Sequence, residues 1–358
     1  MNLRISINAK KINGPYGGGN QFANTLEKHL RAKGYEVFRN LVPHLDLILI
    51  LVAQKKLKCT SYTTDDIADY LLLNPNTVIV HRVNTCDEPR GSNLGINNAV
   101  LQANHLADYT VFVSSFVKLL FQKHGFDEDK PHSIILNGAD EEIFNPDERV
   151  EWQHEQKLKV VTHHWSTNYM KGFDVYERLD HLLKISPFKD FFGFTYVGNL
   201  PFFVEFQNTR VIQPLSGIEL ARILKQHHIY VTAARHEPGG NHYIEAIRCG
   251  LPVLYLRSGS LPEYCATYGV EFTLANFEEK LLEMRKRYLE LSQSTQQCNY
   301  TGERITAQYE KLFKELVAER RTHPRPQVNS KRILRYAIRS YDKNLNRVKK
   351  ALCRWLCS

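Results

Sequence analysis

The chain of 358 residues has no apolar run near the roughly 20 residues needed to cross a bilayer. Its opening segment, MNLRISINAK, is too short and too polar for a secretory leader and reads as a first strand instead. The seven cysteines form no C-x-x-C pair, which argues against a disulfide frame and a zinc site, and for reduced thiols in a cytoplasmic setting. No G-x-G-x-x-G fingerprint is present: Gly17, Gly18 and Gly19 are consecutive, and position 22 is Phe22. With no acid closing the second strand either, a nicotinamide-cofactor enzyme is disfavoured. Net positive charge is missing from most of the chain, residues 1–319 being near neutral. The formal net charge of +9 lies in residues 320–358, where twelve Lys and Arg accompany one acid, Asp342. A nucleic-acid enzyme would spread that charge over its body.

What is present is a globular composition, 43% hydrophobic and 24% charged, long enough for two domains. In the first half, strand-like runs (3–9, YEVF, LDLILILVA, NTVIVHRVN, DYTVFVS, HSIILNG) alternate with helical stretches such as 20–33, 96–107 and 115–124. The polar segment 145–157 interrupts this pattern, and the alternation then restarts: LKVVTHH, helix 171–185, FGFTYVG, TRVIQP, helix 217–227, IYVTAA, helix 241–249, LPVLYL, then helices near 276–292 and 300–320. Buried strands alternating with helices predict parallel sheets covered on both faces. The expected α/β organisation is a Rossmann-like domain over 1–147, a second over 148–321, and a basic tail over 322–358. In the tail, Leu334, Ile338, Tyr341, Leu345, Val348, Leu352 and Trp355 form a stripe of alternating four- and three-residue steps, predicting an amphipathic helix over 331–356. Its basic faces suit packing on the body or contact with an anionic membrane surface, and Cys353 and Cys357 are weak lipidation candidates.

The segment IYVTAARHEPGGNHYIEAIRCGLPVLYL (229–256) carries the chemistry. A buried strand ends in a glycine-bearing loop and a helix starts near Asn241, the place where open α/β sheets bind ligands. A glycine pair admits close backbone approach, and a helix N-terminus offers free N–H groups and partial positive charge to a diphosphate. Glu237 and Glu245 can accept hydrogen bonds from sugar or ribose hydroxyls.

EPGGNHYIEAIRCGLPV resembles the E-x7-E signature of glycosyltransferase family 4, and the matching stretch of bacterial glycogen synthases. The resemblance implies a GT-B fold, two Rossmann-like domains facing each other across a cleft. It implies a retaining, metal-independent transfer from a nucleotide-sugar donor, with no cofactor, to a glycan or lipid-linked acceptor in polysaccharide or glycoconjugate synthesis. In its terms Glu237 contacts the donor sugar and Glu245 the ribose, and amides at Gly240, Asn241 and His242 hold sugar and phosphates. Gly18 and Gly19 face the donor across the cleft, His81 lies beside the reacting sugar, and Gly259 of SGSLPE (258–263) sits close to the donor. Lys171, in the K-G-x-D helix start, neutralises donor phosphate. The base would be read near Gln213–Leu215. VFVSS (111–115) and ILNGADEEIFNP (135–146) match the family's Ser-containing strand end and its passage into the second domain. The arginine that usually precedes this lysine is missing; HHWSTNY stands in its place, leaving His164, Trp165 or Asn168 as substitutes. Asp127-Glu128-Asp129 matches the D-x-D pattern of metal-dependent transferases but sits between a helix and Lys-Pro, as a solvated turn. An inactive scaffold of the same fold, or another Rossmann enzyme such as a dehydrogenase or sugar epimerase, are the alternatives. The expected location is cytoplasmic, with peripheral membrane contact through the tail and no nucleic-acid partner.

Overall fold

The computed structural model describes residues 2–12, 17–54, 57–91 and 93–325. Its frame is two six-stranded parallel sheets. The first holds β1 (Arg4–Ile7), β2 (Glu36–Phe38), β3 (Leu47–Ile50), β4 (Val78–Val83), β5 (Tyr109–Phe112) and β6 (His132–Ile134), in the order β2-β1-β3-β4-β5-β6. The second holds β7 (Leu158–His164), β8 (Phe192–Gly198), β9 (Arg210–Ile212), β10 (Ile229–Thr232), β11 (Val253–Leu256) and β12 (Gly269–Phe272), in the order β9-β8-β7-β10-β11-β12. Strand order reverses between β1 and β3 in one sheet and between β7 and β10 in the other, which opens a crevice at each carboxyl edge.

Alternation across the pleat explains why the first-half strands are apolar on both faces. Leu47 and Leu49 of β3 enter the core under α1 (Gly17–Ala32), with Ala23, Leu26 and Leu30. Ile48 and Ile50 enter the opposite core, with Ile67 of α2 (Thr64–Leu73), Val100 of α3 (Ile96–Asn104), and Val117 and Phe121 of α4 (Ser115–Lys123). Thr63 and Asp66 form a capping box that starts α2. The second sheet is covered by α5 (Phe173–Leu182), α6 (Phe188–Phe191), α7 (Gly217–Lys225), α8 (Asn241–Arg248), α9 (Leu261–Cys265) and α10 (Phe277–Thr295).

One helix corrects the sequence expectation. α11 (Gly302–Thr322), grouped above with the second half, packs on the first. Its Ile305, Tyr309, Phe313 and Val317 belong to the core of β1, β3 and α1. That stripe matches the apolar face left open beside α1, and burial decides the location where chain order does not. His29 and Tyr35 both bond Glu310, at 2.8 and 3.0 Å. No helix among the described residues is long and apolar enough to cross a membrane. The expected helix over 331–356 lies outside the described residues.

Candidate active site

Between the two sheets lies a cleft lined from the first half by Gly17, Gly18 and Gln21 and from the second by the ends of β7 and β8, the loop after β10 and the start of α8. Each wall follows from local sequence. β10 is a fully buried run, so the polar residues that follow it emerge at the carboxyl edge. The chain crosses the rim as Arg235–Gly240 and turns into α8 at Asn241. An added Cβ at Gly240 would stand 2.6 Å from the His242 ring and 3.1 Å from the Glu237 carboxyl carbon, so only glycine permits this approach. Gly259 has φ +58° and backs directly onto the Glu237 main chain, where Ser260 N–H donates to Glu237 O at 2.9 Å.

Lys171 Nζ donates to Glu237 Oε2 at 2.6 Å, with the carboxylate side chain 9% exposed. Glu245, 4% exposed, meets His163 Nε2 at 3.1 Å. His164 Nε2 lies 2.7 Å from Tyr176 Oη, and His242 Nε2 lies 3.1 Å from Thr232 Oγ1. The His164 and His242 rings meet edge to face, centroids 5.0 Å apart. Burial above all, then the charge of Lys171 and of neighbouring histidines, pushes both well below the ordinary histidine pKa. Both are therefore neutral at pH 7, so His164 does not replace the missing arginine as a cation. Asn168 is occupied in starting the short turn before Gly172, its Oδ1 accepting from Met170 N at 2.8 Å. Arg235, whose backbone N–H donates to Met170 O at 2.7 Å, is held bidentate by Asp174 at 3.0 and 2.6 Å and stacks over Tyr169. Among the described residues lining the cleft, Lys171 is the one lysine or arginine. The remaining positive potential comes from the α8 N-terminus.

The cleft thus gathers Gly18, Lys171, Glu237, Gly240, Asn241, His242 and Glu245, together with Pro214 and Leu215 of the expected base-reading stretch. Gln21 Oε1 accepts from Asn241 Nδ2 at 2.9 Å across the domains. Gly19 faces a neighbouring cavity in the first half, which shares Gly17 with the cleft, beside Lys10, Asn20, Asn84, Thr85 and Arg90. His81 is a correction: it sits within β4, 1% exposed, with Nδ1 3.4 Å from Asn104 Nδ2. Side chains alternate across a strand, and His81 turns into the domain under α3 rather than toward the cleft. Burial, reinforced by Lys130, lowers its pKa to about 3. Asp129 N–H closes on Asp127 Oδ1 at 3.2 Å in an exposed turn. Among the described residues, no group of three or more His, Cys, Asp or Glu is placed to hold a metal ion.

The sequence did not reveal the His163–Glu245 pairing or the His164–Tyr176–His242 cluster, because these contacts join strand ends to helices across up to 82 residues. The buried polar character of LKVVTHH was the available signal.

No protein-family model matches this sequence, and no curated protein resembles it significantly. Solved structures do. Anabaena HepE in complex with UDP and glucose matches with TM-score 0.63 at 13% identity, over 87% of this chain and 99% of that one. Sucrose-phosphate synthase from Thermosynechococcus elongatus matches with TM-score 0.66 at 15% identity, over 88% and 100%. This is the GT-B fold. WaaG, a glycosyltransferase involved in lipopolysaccharide biosynthesis, matches with TM-score 0.61 at 14% identity, over 86% and 99%. The GT-B likeness accounts for two facing switch points and a site built from both halves.

Proposed function

We propose that this protein is a retaining, metal-independent glycosyltransferase that moves a sugar from a nucleoside-diphosphate donor to a glycan or lipid-linked acceptor. The observation that carries the reading is one cleft in which Lys171, Glu237, Glu245 and the open start of α8 converge opposite Gly18. That the structural neighbours include a protein solved with UDP and glucose supports it.

In this reading the ribose hydroxyls bond Glu245, which His163 holds in place. The diphosphate lies between Lys171 and the amides of Asn241 and His242 at the start of α8, since the Gly240 N–H is held by Tyr243 Oη at 2.8 Å, and Glu237 accepts from hydroxyls of the transferred sugar. The bond between the anomeric carbon and the phosphate oxygen breaks first, leaving an oxocarbenium-like sugar. Negative charge then grows on the diphosphate, where Lys171 and oriented N–H groups stabilise it without reorganising. An acceptor hydroxyl attacks the same face, its oxygen bonds the anomeric carbon, and its proton passes to the departing phosphate.

Thermal stabilisation by a panel of UDP-, GDP- and ADP-sugars, with NAD as control, tests the reading. Stabilisation by one nucleotide family with slow donor hydrolysis is expected. Binding to none points to a scaffold, and stabilisation by NAD alone to a dehydrogenase-like enzyme. Proton NMR of the product gives the anomeric configuration, and unchanged turnover in EDTA is expected. We also propose that residues 331–356 bring the enzyme to an anionic membrane face. Deleting 325–358 should abolish sedimentation with anionic liposomes, and unchanged sedimentation would remove the idea.

A further inference from the structure

The cavity that adjoins the cleft lies at the switch between β1 and β3, at the carboxyl edge of the first sheet. Ala9 lines it after β1, and Leu51 and Val52 line it after β3. Asn84 and Thr85 follow β4, and Lys10 and Arg90 join them. Gly17 lines both this cavity and the cleft.

Its main chain is tied down. Asn8 Oδ1 accepts from Leu51 N and Val52 N at 2.7 and 3.0 Å, and Asn8 Nδ2 donates to Val52 O at 2.8 Å. Lys10 N donates to Cys59 O at 2.7 Å, and Arg90 N donates to Asp87 O at 2.9 Å. Arg90 O accepts from Asn168 Nδ2 of the second half at 3.3 Å. Together with the bond from Ser114 Oγ to Pro238 O at 2.6 Å, this contact joins the halves and keeps the cavity beside the cleft.

Its side chains are idle. Among the described residues, none of Lys10, Gln54, Asn84, Thr85 and Arg90 uses its side chain in a hydrogen bond or ion pair. Asn20 is the exception in the lining, its carboxamide closed on Ile12 N and O. The acids in the turn of Arg90 are spent elsewhere. Asp87 accepts from Leu94 N at 2.8 Å and Asn97 N at 3.0 Å, and Glu88 Oε1 accepts from Asn97 Nδ2 at 3.0 Å.

The two neighbouring sites differ in chemistry. Glu237 and Glu245 line the cleft, and carboxylates accept from hydroxyls. Among the described residues no carboxylate lines the cavity, which has two cations instead. An ammonium or a guanidinium can only donate. A neutral sugar needs acceptors for its hydroxyl protons, whereas a phosphate or carboxylate takes donors alone and bonds most strongly to charged ones.

We propose that this cavity takes the acceptor and that the acceptor is anionic, a sugar unit bearing a phosphate or a carboxylate. Lys10 and Arg90 hold the anion, Gln54, Asn84 and Thr85 bond remaining hydroxyls, and the attacking hydroxyl points past Gly17 into the cleft. The inference rests on the glycosyltransferase reading above and adds the charge of the acceptor.

The test fills the cleft first. With the stabilising nucleoside diphosphate held at saturation, calorimetry compares glucose with glucose 1-phosphate, glucose 6-phosphate and glucuronic acid, and galactose with its same three derivatives. At least one anionic derivative should bind tenfold or more tightly than its neutral parent, about the effect of one charge-assisted hydrogen bond. A margin confined to the phosphates assigns a phosphorylated acceptor, and one confined to the uronic acids a carboxylated acceptor. Lys10→Ala with Arg90→Ala should erase the margin while melting temperature and diphosphate affinity stay unchanged, both side chains being exposed. Lys10→Arg with Arg90→Lys, which keeps both charges, should retain it. No margin in the wild type, or a margin that survives the double alanine variant, overturns the proposal alone. A wild-type protein that binds no nucleoside diphosphate overturns the functional reading and this proposal together.

Discussion

Lys171 and Glu237 form the shortest polar contact in the cleft, and the two carry different work. Replacing Lys171 by alanine removes the lone lysine or arginine that lines the cleft among the described residues. The expected loss is roughly 100- to 1000-fold in kcat, the range seen when one preorganised transition-state donor is removed. Steady-state kinetics with the stabilising donor measures it. In the proposed reading Glu245→Gln acts on the other end of the donor. It should weaken nucleoside monophosphate and diphosphate alike by about tenfold, leaving kcat little changed, and calorimetry with both ligands reads the distinction. His81→Asn should lower the melting temperature and leave KM for donor unaltered, since that imidazole is packed against Asn104 inside the first domain. These residues also show where sequence reasoning ended. Lys171, Glu237 and Glu245 lie near the ends of buried strands or the starts of helices, where pattern and position coincide. His81 shares that neighbourhood in sequence but not in space, because one step along a strand reverses the face.

At the scale of elements, buried strands were legible where apolar residues ran together, as in LILI of β3 and IYV of β10. β12, with the sequence GVEF, was passed over because a glycine and a glutamate dilute so short a run. α11 was legible as a helix but not as a partner of β1 and α1, since amphipathic periodicity names a buried face without naming what buries it. Its docking gives a direct expectation. Phe313 is fully buried in the first-half core, so Phe313→Ala should cost about 3–5 kcal/mol. Urea denaturation would show the midpoint falling.

For the molecule as a whole, five buried histidines share one consequence. Burial lowers His81 to about 3 and His227 and His228 to about 4, and places His164 and His242 well below the ordinary value. A base with a depressed folded pKa stays neutral in the native state while the unfolded chain takes up a proton. Its stabilisation is complete above about pH 6.5 and is lost as pH falls toward the folded value, about 1.4 kcal/mol for each unit of depression. The urea midpoint should therefore be flat between pH 7 and 8 and fall steeply from pH 6 to 4. An equal midpoint at pH 5 and pH 8 would contradict this placement of the histidines. The two-domain architecture itself was legible, because the βα alternation stops and restarts around 145–157. How the halves grip each other was not, since Ser114 and Pro238 stand 124 residues apart.

The position of α11 also orders events during synthesis. The last strand of the first sheet ends at Ile134, yet the helix that seals its core runs to Thr322. At 5–20 residues per second, the ribosome needs on the order of 10 to 40 seconds to supply the missing face. During that interval Ile5, Leu47 and Val80 have no complete cover, while the second sheet is already being made. The half that is translated first therefore cannot close its core until the second half has been made.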